Sequence, residues 1–184
     1  MKRVTPTVTP RAGETSLDRV GRPRTKLYAR AQAGAINTDE DVFEALKKIV
    51  RIALDSSVLI AAHISRAGVC AELLEDLLLH HELVISDFIL EELGRKVVEK
   101  FNFPRRDSDQ VGAFLRRVSI VVQPADLPSD LCRDPTDVPV LDIAVAGECA
   151  LLISVDRDLL DMQTIQAIPI VRPGEYWRRT AEFD

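Results

Sequence analysis

Five short apolar runs constrain this 184-residue chain more than any other feature. They are Ile52-Ala53-Leu54, Leu83-Val84-Ile85, Ile120-Val121-Val122, Leu151-Leu152-Ile153 and Pro169-Ile170-Val171. None alternates with polar residues, so each calls for cover on both faces. Between them lie stretches with helical apolar spacing at 58–64, 70–79, 88–101, 108–117 and 137–146, and a last helix begins over 175–179. Short buried strands alternating with helices predict a parallel sheet with crossover helices, an α/β fold of the doubly wound type. In such sheets, sites form beyond the carboxyl ends of the strands, near the point where the strand order reverses.

Acidic residues stand at those ends. Asp55 directly follows the first run, Asp156 lies just past the fourth, and Glu92 and Asp137 sit early on helices that follow a strand or a turn. The fold directs all four to one edge of the sheet, with Asp134 and Asp158 close by in sequence. Carboxylates converging with no Lys or Arg between them repel. A hard divalent cation relieves that repulsion, and Mg²⁺ or Mn²⁺ favours an all-oxygen surrounding. Such sites hydrolyse phosphate esters by orienting and acidifying a water and by neutralising the phosphate in transit. A lone Asp after a strand is commonly just a helix N-cap, and Asp134 before Pro135 is ordinary turn chemistry. Four acids at four successive junctions exceed what capping explains, since Glu92 lies inside its helix.

Charge is unevenly spread. Residues 1–30 hold eight Lys/Arg against Glu14 and Asp18, a net of +6, whereas the remainder holds 16 basic and 27 acidic groups, a net of −11. An acidic domain does not attract polyanions in bulk, so a nucleic-acid substrate requires a metal, the arm or a basic partner. Residues 1–37 read as a basic, disordered arm, followed by a short helix within 38–50, capped by Thr38, and a domain over 51–184. Within the arm, Val20-Gly21-Arg22-Pro23-Arg24 is similar to an AT-hook core, which gives a weak DNA contact through the minor groove. Cys70, Cys132 and Cys149 are odd in number and lack a CxxC pair, so they read as small buried hydrophobes in a reducing compartment. No apolar run approaches the roughly 18 residues of a membrane span, and the opening MKRVTPTVTPRAGE has no secretory apolar core. The expected location is the cytoplasm.

The stretches LDSSVLIAA (54–62), ISDFILEEL (85–93), RDPTDVPVLDIAVAGECALLISVDRDLL (133–160) and IPIVRPGEYW (168–177) resemble the PIN-domain nucleases, and within them the VapC-like toxins of toxin–antitoxin pairs. The third stretch is the most specific, joining a DPxD turn, an apolar helix, a strand and a Ser-x-Asp-x-Asp-Leu-Leu motif. The resemblance implies a three-layer α/β/α sandwich with a short parallel sheet of about five strands. It implies a metal-dependent endoribonuclease whose four acids fall on Asp55, Glu92, Asp137 and Asp156, holding one or two Mg²⁺ or Mn²⁺ ions. Ser154 takes the hydroxyl position before the fourth acid, and Asp134 and Asp158 are auxiliary acids. Ser57 stands where the family usually has Asn; its hydroxyl still donates to a carboxylate, with a shorter reach and fewer donors. The implied partners are an RNA substrate, an antitoxin protein and a second copy of the chain, paired through helices at 70–79 and 88–101.

Other readings compete. A PIN-like module that binds RNA or protein without cleaving it fits the acidic surface and Ser57. A response-regulator receiver needs an acceptor Asp after the third strand, where Gln123 and Pro124 stand, and a haloacid-dehalogenase-like phosphatase needs an acid at the position of Ser57. His63 reads as structural, His80 and His81 as the end of a helix, and Tyr176 and Trp177 as an aromatic pair sealing the sheet.

Overall fold

The structure, a computed structural model, describes residues 49–65 and 67–183. The basic arm and the helix expected before residue 49 lie outside the described residues.

The apolar runs form the strands β1 (Arg51–Leu54), β2 (Glu82–Ile85), β3 (Ile120–Val121), β4 (Leu151–Ile153) and β6 (Ile168–Val171). Helices α1 (Ser56–Ile64), α2 (Val69–His80), α3 (Asp87–Phe101), α4 (Arg105–Val118) and α5 (Val138–Ala146) fill the connections. They are followed by α6 (Arg157–Met162) and α7 (Tyr176–Thr180). Ile52, Leu54, Leu83, Ile85 and Leu151 to Ile153 are completely or almost completely buried, as unbroken apolar runs require when helices cover both faces. The result is a three-layer α/β/α fold.

With β5 at Thr164–Ile165, the strand order is β3-β2-β1-β4-β6-β5. The five strands read from the sequence pair with one another in parallel. The chain turns one way from β1 to β2 and β3, and the other way to β4 and β6. The switch point therefore falls between β1 and β4, where Leu54 pairs with Ile153. Residues just beyond that pair, Asp55 and Ser154, are placed side by side.

A sixth strand extends what the apolar runs show. β5 (Thr164–Ile165) runs antiparallel to β6 through a two-residue turn at Gln166 and Ala167. Both turn residues have positive φ, 46° and 70°, a geometry usually signalled by Asn or Gly. Neither is present, so the hairpin has no sequence signature. α6 is likewise absent from the helical spacing because it is only six residues long.

Two local details complete the frame. Gly147 ends α5 where an added Cβ would lie 2.6 Å from Val84 Cγ1, so only glycine lets the helix approach β2 this closely. Tyr176 is completely buried and its hydroxyl donates to Asp76 Oδ2 at 2.7 Å, tying α7 to α2. Burial and the Asp76 charge push the Tyr176 hydroxyl well above the usual phenol range. Trp177 packs edge-on against Tyr176 but stays exposed, so only one of the two aromatics seals the core.

Candidate functional site

β1 delivers Asp55 in an extended conformation, and the chain turns at once into α1. The carboxylate is buried and accepts four hydrogen bonds. Ser57 donates from its backbone N (3.3 Å) and its Oγ (2.5 Å), Ser56 Oγ donates at 3.3 Å, and Ser154 Oγ donates at 2.7 Å. Three hydroxyls and an amide thus replace the water lost on burial. Ser57 fills its position by bonding Asp55 directly, which is what an Asn would do there with a longer arm.

β4 delivers Ser154, whose Oγ also accepts from Asp156 N at 2.9 Å. One hydroxyl therefore fixes both the Asp55 carboxylate and the backbone of Asp156. Asp156 caps α6, accepting from Asp158 N at 2.8 Å. Asp134 caps the tight turn Pro135–Asp137, accepting from Thr136 N and Thr136 Oγ1, and these bonds hold its carboxyl below the usual range. Asp55, Asp134 and Asp156 are thus helix or turn caps and members of the acid group at once; the capping and functional readings describe the same geometry.

Asp137 is different. It ends the turn and starts α5 without a side-chain cap bond. Burial pushes its carboxyl up, and the charges of Asp156, Asp134, Asp55 and Asp158 add to this, bringing it to about 6. Four aspartates from three separate segments therefore act on Asp137 at the switch point.

Glu92 joins by another route. It lies on α3 and forms an ion pair with Lys96 at 2.9 Å, while Glu91 beside it is exposed. Lys96 Nζ also donates to Ser56 Oγ at 3.3 Å, so Glu92 is linked to Asp55 through Lys96 and Ser56. Burial raises the Glu92 carboxyl, but Ser56 and Lys96 outweigh it and leave it below the usual range. The expectation of acids without an intervening cation is corrected here. Lys96 is four residues from Glu92 on one helix face, where an ion pair forms readily, and Arg133 approaches Asp158 at 3.4 Å.

The donor chemistry fits a hard divalent cation. Every side chain offered is a carboxylate or hydroxyl, and the repulsion that raises Asp137 is what such an ion relieves. Among the described residues, no three His, Cys, Asp or Glu side chains are gathered tightly enough to hold a metal ion as they stand. Hydroxyls, caps and Lys96 hold the acids as neighbours in an open arrangement.

Asp142 belongs to none of the acidic positions at the strand ends. It is buried on α5 and accepts from Leu127 N at 2.8 Å, pinning the long loop that leads to Asp134. In the sequence it stands as a lone acid inside an otherwise apolar helix. His63 packs against Phe103, and His80 ends α2 beside Asp76. All three cysteines are free and buried.

The family model of the PIN domain matches residues 51–158, a span that holds Asp55, Glu92, Asp137 and Asp156 together. No curated protein matches the chain. The matched span, the switch-point acids and the three-layer parallel sheet agree: the chain belongs to the PIN-domain family, whose members are generally nucleases.

Proposed function

We propose that this protein is a metal-dependent endoribonuclease that hydrolyses RNA phosphodiesters. The observation that carries this reading is the Asp137 carboxyl, raised to about 6 by burial and by four neighbouring aspartates. A fold that only needed caps would have no reason to crowd a carboxyl that caps nothing.

Asp55, Glu92, Asp137 and Asp156 would hold Mg²⁺ or Mn²⁺. When bound, such an ion supplies positive charge to the phosphate in transit and acidifies the attacking water. The chain's own residues prepare this. Ser56, Ser57 and Ser154 fix the Asp55 oxygens, so little reorganisation remains when charge arrives. Asp137 carries a charge at neutral pH that its burial and its acidic neighbours penalise, and that a bound cation would relieve, while Lys96 balances Glu92. Asp134 and Asp158 add negative potential from the rim.

The test is cleavage of a single-stranded RNA by the purified full chain with Mg²⁺ or Mn²⁺ against the same reaction in EDTA. Cleavage in EDTA, or none with either metal, refutes the reading. The Lys96–Glu92 pair favours a second reading, a PIN-like module that binds RNA or protein without cutting it, and the metal-dependent assay separates the two. Within the leading reading the chain acts as the toxin of a toxin–antitoxin pair and works as a homodimer. A neighbouring gene for a small DNA-binding protein and light scattering test those two points.

A further inference from the structure

We infer that the groove leading out of the acid site binds the strand of single-stranded RNA beside the scissile phosphate, with Lys100 on a phosphate and Phe101 stacked on a base. The inference rests on the nuclease reading above.

The groove has a volume of about 490 Å³ and runs between α1 and α3, lined by Ser57, Ile60, Ile64, Lys96, Lys100 and Phe101. Its inner end is the site itself, because Ser57 bonds Asp55 and Lys96 bonds Glu92. Its outer end carries two exposed apolar side chains, Ile64 at 40% and Phe101 at 45% exposure. Lys96 and Lys100 stand one helical turn apart, close to the step between successive phosphates of an extended strand. Lys96 is engaged with Glu92, whereas Lys100 pairs with no acid among the described residues.

Charge complementarity selects the occupant. The chain carries a net −5, and its acids crowd the site that a phosphate must enter. The groove supplies positive charge on that path. An apolar protein segment laid here would cover the Lys100 ammonium without pairing it, at a desolvation cost. A nucleic-acid strand meets the Lys100 ammonium with a phosphate and the exposed ring with a base, the usual division of labour in sequence-tolerant single-strand binding.

The test uses the full chain and a short fluorescein-labelled oligouridylate, read by anisotropy in EDTA over a range of salt. Circular dichroism checks that the variants fold. Lys100→Ala is expected to weaken binding about tenfold and to reduce the salt slope by about one, while Lys100→Arg keeps both. Phe101→Ala is expected to weaken binding about tenfold with the slope unchanged. In cleavage assays with Mg²⁺ or Mn²⁺, both losses fall on KM rather than kcat. Variants that bind with wild-type affinity and slope, or a wild type that does not bind the oligonucleotide, overturn the groove assignment. Such results leave the nuclease reading standing if the wild type still cleaves. Lys100-dependent binding by a wild type that never cleaves supports the groove and removes the nuclease reading.

Discussion

Ser154 and Asp55, 99 residues apart in sequence, meet across the β1–β4 ladder, with Ser154 Oγ donating to Asp55 Oδ2 at 2.7 Å. The contact follows from register. Leu54 pairs with Ile153, so the next residue on each strand emerges at the same level. The same hydroxyl receives the Asp156 amide, which makes this pair the hinge between the two halves of the acid site.

Ser154→Ala leaves Asp55 without one donor and the Asp156 amide without its acceptor in a buried setting. The expected cost is about 1–3 kcal/mol of stability. Urea denaturation measures it, and a variant as stable as wild type would contradict the shared-hydroxyl role.

Asp55→Asn is expected to abolish metal-dependent cleavage and to destabilise the fold. Relief of repulsion argues for a more stable variant, but an amide turns an NH₂ toward hydroxyls that now donate to the carboxylate. Mispaired buried groups cost on the order of 1–3 kcal/mol, which outweighs the gain. Wild-type cleavage rates in this variant would remove Asp55 from the site.

Asp137→Asn acts in the opposite direction. The folded carboxyl titrates near 6 against a usual 3.8, so between those values the folded state binds more protons than the unfolded. Stability of the metal-free protein therefore falls as pH rises from about 4 to about 6, and the penalty is complete above that. Removing the charge should stabilise the protein at neutral pH by on the order of 1 kcal/mol, allowing for solvent screening at a half-exposed group. Thermal melts at pH 4 and pH 7 check this; equal Tm differences at both values would sink it.

Proton linkage also sets the pH dependence of cation binding. Asp137 must lose its proton to take part, so Mn²⁺ affinity should fall as pH drops through about 6. Calorimetric titration at pH 5 and pH 7.5 distinguishes this from an affinity independent of pH, and the Asp137→Asn variant should lose that dependence.

Tyr176→Phe removes the bond to Asp76 but keeps the buried ring. The expected loss is about 1 kcal/mol, seen as a lower Tm, with cleavage rates unchanged because α7 lies away from the acids.

The strands and their acids were legible because both are local properties. An apolar run too short to be a helix, such as 151–153, has only one stable use in an α/β chain, and Asp55 or Asp156 follows such a run by covalent connection. The helical spacing of α2 and α3 was legible for the same reason, and so was Glu92 inside α3. Tertiary structure decided what the acids touch. Which strands lie beside β1 depends on pairing between distant segments, and only that pairing sets Ser154 against Asp55. Lys96 could be placed on the face of Glu92 by its spacing, yet its reach to Ser56 required α3 to pack on α1. The turn at Gln166 and Ala167 is held by the pairing of Ile165 with Ile168, against the preference of both residues for negative φ. Local propensity and apolar pattern act over a few residues. Hydrogen-bond partners, electrostatic coupling and the groove beside α3 exist only after long-range packing brings separate segments to one place.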